Sequence, residues 1–308
     1  MKIRLSAIAL AIVGGAASLG MSASALAGNV GHYNGCGFFT LGDLAGPIAA
    51  AGHTKVTVAT LDAGSLAGLD ALVVTSCYGG PFTASNAALN TAVSNGMGLV
   101  VESVGVSGGS SGINSANLPG APAFSTSAVY AYPVANNIEL AAGSPISNGP
   151  GGTLTATSLD RGTPTGETFN FVFLYPANQL PAGAIPFLTT ANSAQVVAFG
   201  YNHGTGRVAY ADSQASIFLP GGQIAASSEV FSAGLSTYLS NAIAWAAGYN
   251  PVTTTCASEG YTGTKLSWCK NICEMGYTGA TLDMWIHRWI GRYRDLPYCA
   301  AAPASPPA

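Results

Sequence analysis

Charge is what this sequence has least of. Only 7% of its 308 residues are Asp, Glu, Lys or Arg, thirteen acidic against ten basic, for a net charge of -3. That balance leaves no basic stripe for a phosphate backbone, so nucleic acid is not an expected partner. With 48% hydrophobic residues the scarcity is not that of a charged, disordered chain either. No P-loop is present, and no dinucleotide fingerprint follows a strand. His32, His53 and His203 stand isolated, and no His/Asp/Glu cluster has metal-ligand spacing, so neither a metal nor a cofactor is expected. Beyond the first 27 residues no apolar run is long enough to cross a bilayer.

The first residues differ from the rest. Lys2 and Arg4 are the only charges before Asp43, and an apolar stretch from Leu5 ends in Ala25-Leu26-Ala27. A short apolar core closed by an A-x-A site reads as a signal peptide, with a mature start at Gly28. Gly14, Gly15 and Gly20 break the stretch, which argues against a membrane anchor. No cysteine stands at the cleavage point for a lipid. The expected location is therefore secreted or periplasmic. The six cysteines, Cys36, Cys77, Cys256, Cys269, Cys273 and Cys299, all survive cleavage. An even number in an exported chain points to three disulfides.

Residues 28–249 alternate strand and helix patterns. A short strand is expected at 29–33. A helix from Thr40 to Gly52 follows, with Pro47 as an anomaly. "KVTVAT" (55–60), "ALVVT" (71–75) and "GLVVESV" (98–104) read as strands, with a helix over 84–94 between the last two. Continuous apolar strands suit a parallel sheet covered on both faces. The middle, about 105–185, is rich in Gly, Pro and Ser, with short strands expected at 153–157 and 169–174. "AQVVAFGYNHGTGRVAYADS" reads as a hairpin turning at His203–Gly206. Phe231, Leu235, Leu239, Ala242, Ile243 and Ala246 fall at helical spacing, with Ser227 or Ser228 as cap and Gly248 as stop.

This order of pieces resembles the class I glutamine amidotransferase-like superfamily, including its trehalose-utilisation-type members. The segments that carry the resemblance are "SLAGLDALVV", "GMGLVVES", "GSPISNG", "GYNHGTGRVAYAD" and the closing "NAIAWAAG". It implies a flavodoxin-like α/β fold, a mostly parallel sheet with helices on both faces. The superfamily includes enzymes and domains without known chemistry, so the fold does not choose a function.

Three groups could carry chemistry. Cys77 ends a strand in Thr75-Ser76-Cys77-Tyr78-Gly79, but the leading glycine of a G-x-C-x-G elbow and a late His-x-Glu partner are both missing. In the flavodoxin-like order 2-1-3-4-5, strands one and three are neighbours, so Cys36 and Cys77 would end side by side. A disulfide between them is the expectation. Ser107 lies in Gly105-Val106-Ser107-Gly108-Gly109, a G-x-S-x-G match, with Asp160 and His203 following in triad order. No helix pattern follows that serine, which favours a plain glycine-rich loop. His203 itself reads as an exposed turn residue. Finally, ligands of open α/β sheets bind beyond the strand carboxyl ends. Here that edge would carry Asn34, Tyr78, Glu102 and Ser107, with Glu102 either facing a ligand or reaching solvent.

Residues 250–255 form a linker to a different composition. Five of the ten Lys and Arg and three of the four Trp lie beyond it. "GYTGTKLSW" and "GYTGATLDMW" each open a helix, so residues 256–299 read as an αα-hairpin. Such a unit needs covalent staples. The C-x12-C-x3-C-x25-C spacing fits zinc poorly. Of three possible pairings, Cys269–Cys299 with Cys256–Cys273 is preferred. Residues 300–308 read as a disordered tip. The whole points to an exported protein of the bacterial envelope or extracellular space, non-catalytic, binding a small molecule, a glycan or an envelope protein. The alternatives are a serine hydrolase using Ser107 and, less favoured, a Cys77-dependent amidohydrolase.

Overall fold

A computed structural model describes residues 28–37, 40–77, 80–104, 113–122, 124, 129–130, 138–159, 173–190, 192–211, 215–223, 229–249, 256, 259–273, 275, 279–293 and 296–297. The chain divides into two units, residues 1–249 and 250–308. The larger begins with β1 (Asn29–Gly35), α1 (Ala45–Ala50), β2 (Thr54–Thr57), α2 (Ala63–Leu66), β3 (Leu69–Cys77), α3 (Ala87–Ser94) and β4 (Gly98–Val104). Then come β5 (Val129–Tyr130), β6 (Ile138–Leu140), β7 (Asn148–Gly149), β8 (Gly152–Thr153), β9 (Phe173–Pro176), β10 (Ile185–Thr190), β11 (Gln195–His203), β12 (Gly206–Ala211) and α4 (Glu229–Ala246).

The sheet runs β2-β1-β3-β4-β12-β11-β10-β6, with β9 added on β11 and β5 on β9. β2, β1, β3, β4 and β12 pair in parallel, and the strands beyond β12 pair antiparallel. The fold is thus α/β on a large mixed sheet with a parallel heart. Its continuous apolar strands feed two cores. Val30, Val73 and Val100 pack with Leu44 and Ile48 of the α1 region and with Leu235 and Leu239 of α4. Leu72, Val74 and Leu99 point the other way, onto Leu89 and Val93 of α3 and onto Phe82. Helices therefore cover both faces.

Several expected boundaries shift. The first helix starts at Ala45, because the backbone of Thr40 is engaged with Gln223, donating to Oε1 at 3.2 Å and accepting from its amide at 2.8 Å. Pro47 then falls in the first turn, where its missing N–H costs nothing. α3 starts at Ala87, with the Asn86 side chain accepting from Leu89 N at 2.9 Å. The strand expected over 153–157 is only the two residues of β8. Thr155 N turns onto Ser158 Oγ at 2.9 Å instead. In place of the strand expected at 169–174 stands β9, and residues 161–172 lie outside the described ones. β10 and α2 are additions that sequence patterns do not announce. The β11–β12 hairpin forms as expected, with Gly204 at φ +59° in its turn. Ser227 and Ser228 lie outside the described residues. α4 is followed by Gly248 at φ +95°.

The β7–β8 hairpin is held by one side chain of α4. Asn241, 2% exposed, donates to the carbonyls of Ile146 and Gly152 at 2.9 and 3.0 Å and accepts from Gly151 N at 3.0 Å. A buried amide with its partners in place fixes register at little net cost.

The second unit contains α5 (Gly263–Cys273) and α6 (Gly279–Ile290). Trp289, Cys256 and Cys269 are fully buried and Ile272 nearly so, with Trp268, Trp285 and Tyr293 packed around them. The Lys265 ammonium sits 4.4 Å from the Tyr261 ring centre and 5.2 Å from that of Tyr293. The disulfide here joins Cys256 to Cys269, with Cα atoms 5.7 Å apart. That corrects the expected pairing of Cys269 with Cys299 and of Cys256 with Cys273. The reason is local. Cys256 closes a turn onto Tyr261, whose amide donates to the Cys256 carbonyl at 3.2 Å, and so meets the first inward cysteine of α5. Cys273, one helical turn further on, is also disulfide-bonded. Cys299 lies outside the described residues. Non-reducing peptide mapping should recover a Cys256–Cys269 peptide and join Cys273 to Cys299, the cysteine that remains. A Cys256–Cys273 peptide, or four thiols binding zinc, would contradict this pairing.

Candidate functional site

The parallel strands end along one edge, and their register lines up the residues there. Asn34 of β1 is the Cα partner of Thr75 of β3, and Thr75 is the partner of Glu102 of β4. Glu102 in turn faces Ala211 of β12. Asn34, Thr75 and Glu102 thus form one row across three neighbouring strands. The next row is Gly35, Ser76 and Ser103. Just beyond it Cys36 and Cys77 are disulfide-bonded, with Cα atoms 4.9 Å apart. The bond prolongs the β1–β3 ladder by one step, so Cys77 is not a free thiol. This is the pairing expected from neighbouring strands, and it removes the thiolate on which a cysteine enzyme would depend.

Glu102 does not reach solvent. It is 1% exposed and turns into the layer beneath α4. Its Oε1 accepts from Ser216 N at 3.3 Å, at the start of the 3-10 turn Ala215–Phe218 that follows β12. Oε2 has no hydrogen-bond partner among the described residues, nor has Ser103 Oγ. Burial lifts the carboxyl from its ordinary 4.5 to about 7, against an opposing pull from hydrogen bonds at Ser216 and Ala215. Tyr238 of α4 is buried too. Burial first, and the Glu102 charge second, push its hydroxyl far above the ordinary range.

His32 lies on the same sheet face. Its Nε2 is 3.2 Å from Thr75 Oγ1, and burial, with the Lys55 charge adding to it, lowers its pKa to about 4, Asp43 opposing. The ring is neutral near pH 7 and cannot supply a positive field to the edge. Lys55 spends its charge on Asp43 at 2.8 Å. Asn34 is exposed, and its Oδ1 accepts from Cys36 N at 2.9 Å, leaving its amide NH2 facing outward from this bond.

Of the remaining expected residues, His203 is the one that is described. Tyr78, Ser107 and Asp160 lie outside the described residues. His203 closes β11 opposite Gly206, the first residue of β12. β12 runs parallel to β4, so His203 stands at the edge where the parallel strands begin. Nor is it a plain exposed turn residue. Its Nε2 is buried, and its ring packs so closely on Gly120 that a Cβ there would come within 2.8 Å of Nδ1. At that same beginning edge a groove of about 530 Å³ opens between α2 and α3, lined by Ala63, Leu66, Leu69, Ala88, Thr91 and Met97. Among the described residues no titratable side chain lines it.

Thr75, His32, Ser216 and Tyr238 are the members of this polar layer that sequence reasoning missed. Thr75 alone left a trace, a polar residue inside the apolar run "LVVTS". No protein-family model matches the chain, and a search of curated proteins finds no match.

Two predictions follow from the edge. A raised carboxyl pKa means that the folded state holds the proton to higher pH than the unfolded chain does. The stability this group contributes is then greatest below pH 4.5 and falls as pH rises towards about 7, by about 3 kcal/mol in all. Glu102→Gln should flatten that window in urea titrations between pH 5 and 8 and leave the protein no less stable than wild type at pH 8. A slope unchanged in Glu102→Gln would assign the titration elsewhere. For the disulfide, a loop of 41 residues is worth roughly 4 kcal/mol. Cys36→Ser and Cys77→Ser should each lose a similar amount, and the double variant little more, since each single change breaks the same bond. Additive losses would mean the two cysteines act separately.

Proposed function

We propose that this is an exported, non-catalytic binding or interaction protein of the bacterial envelope or extracellular space, built on an amidotransferase-like, flavodoxin-like α/β domain with a disulfide-stapled helical module. The order β2-β1-β3-β4-β12 among the parallel strands supports the flavodoxin-like assignment, being the 2-1-3-4-5 arrangement of that class. Two disulfides and the absence of any membrane-length apolar helix among the described residues are compatible with export.

One observation carries the non-catalytic part. The two reactive groups at the strand ends are consumed by the fold: Cys77 in a disulfide, Glu102 as a buried brace on a 3-10 turn. The ligand class is a small molecule, a glycan or a partner protein, met at the carboxyl edge that carries Asn34. A serine hydrolase using Ser107 is the second reading, resting on the G-x-S-x-G pattern.

A fluorophosphonate probe on the oxidised protein separates the two. Binding without catalysis expects no labelling of Ser107. In parallel, thermal-shift titration with soluble peptidoglycan fragments should raise Tm saturably, an effect weakened by Asn34→Ala. Stoichiometric labelling abolished by Ser107→Ala would overturn the proposal in favour of the hydrolase.

A further inference from the structure

The ladder between β1 and β3 is irregular at its first step. Asn29 pairs with Leu69 and Val30 with Ala71, so Asp70 is an extra residue without a partner on β1. A bulge of this kind re-aims a side chain. Here it sends the Asp70 carboxylate to Gly28. The position of Gly28 is fixed from the other side, where Thr54 N donates to its carbonyl at 2.8 Å. A Cβ on Gly28 would collide with Asp70 Oδ2, which shows how closely the carboxylate approaches the Gly28 backbone. The amide nitrogen and an ideal Cβ hang from one Cα about 2.5 Å apart, which puts the carboxylate within about 4 Å of the Gly28 nitrogen, the range of an ion pair.

The other charged or titratable group at Asp70 is His53, whose Nδ1 is 3.5 Å from Asp70 Oδ2. Asp70 makes no hydrogen bond among the described residues, and its side chain is 44% exposed. A half-solvated carboxylate beside a backbone nitrogen gains little while that nitrogen is an amide. It gains a salt bridge once the nitrogen is an ammonium.

We propose that removal of the leader after Ala27 creates that ammonium, and that Asp70 is the built receptor for the new amino terminus. This rests on the export assigned above. Hydrolysis of the Ala27–Gly28 bond consumes one water. The leader departs with the Ala27 carboxylate, and the Gly28 amine takes up a proton and pairs with Asp70. Processing therefore tightens the start of β1, the strand that carries Asn34 and leads into Cys36. The precursor, with an amide at this position, lacks the pair.

The experiment compares the chain 28–308 with a free Gly28 amine, released from a cleavable fusion, with the same chain acetylated at that amine. Asp70→Asn is made in both. The free form should melt higher by up to roughly 3 °C, as befits a partly exposed pair, and Asp70→Asn should erase the difference. The free amine should titrate above its ordinary value of about 8, as read by NMR of Gly28 labelled with 13C. A raised folded-state pKa means the added stability is present below pH 8 and is lost as pH climbs through the folded value. Equal melting of the two forms, a difference that survives Asp70→Asn, or an amine titrating at its ordinary value would overturn the pairing. Amino-terminal analysis of the protein exported by a bacterial host addresses the processing step separately. A start at Gly28 supports it. Any other start removes the processing step, even where the recombinant amine pairs with Asp70.

Discussion

The register between β1 and β3 is the constraint on which the larger unit depends. A slip of one residue would swap the faces of β3, sending Val73 and Thr75 to the core of Leu72 and Val74. Three devices hold it. At the start, the bulge at Asp70 absorbs one residue. Along the middle, His32 reaches Thr75 across the sheet. At the end, Cys36 and Cys77 close the ladder covalently. The row of Asn34, Thr75 and Glu102 exists only in this register, and so does the brace that Glu102 makes on the turn after β12.

That brace explains why an acid is tolerated where water does not reach. An unpaired buried carboxylate would cost several kcal/mol, and the group responds by keeping its proton towards neutral pH. The Ser216 N–H at the start of the 3-10 turn donates to Oε1. The turn in turn presents Ile217 and Phe218 to the core shared with Phe231 of α4. A residue that resembles a catalytic acid by position and by perturbation is thus tied to the turn that follows β12. Perturbed pKa values mark functional sites and structural networks alike, and the partners decide between them. Here the partners belong to the 3-10 turn that follows β12.

The parallel heart was legible because its signal is local: "ALVV" and "GLVV" are runs of apolar residues, and glycine or asparagine punctuates them. The Cys36–Cys77 pair was legible because neighbouring parallel strands bring their next residues together. What escaped depends on contacts far apart in sequence. Thr40 fails to cap a helix because Gln223, 183 residues later, claims its backbone. Glu102 looked solvent-bound because nothing near it in sequence announces Ser216, 114 residues on. β10 was missed because "IPFLTT" carries a proline and little alternation, and only the register with β11 makes it a strand. In the second unit the helices were visible from the repeated openings "GYTGTKLSW" and "GYTGATLDMW". The pairing of Cys269 was not, because two cysteines one helical turn apart present the same face, and a short turn at Cys256 chooses between them.

With so few charges, each described one in the larger unit has a position to account for. Arg207 caps α4, donating to the carbonyls of Trp245 and Tyr249 at 3.0 and 3.1 Å while its guanidinium lies 5.3 Å from the Trp245 ring centre. Lys55 and Asp43 pair beside His32. Asp62 caps α2 through Ser65 N at 2.9 Å. These are uses of charge for ending helices and aligning strands, and they leave little over for binding by long-range attraction. The second unit is different: its cations lie on aromatic rings, with Lys265 over Tyr261, Arg288 over Trp285 and Arg292 over Trp268. Where the larger unit spends charge on backbone, the smaller spends it on rings around a disulfide core. The change of composition after residue 249 is therefore a change in how a chain with little charge is held together.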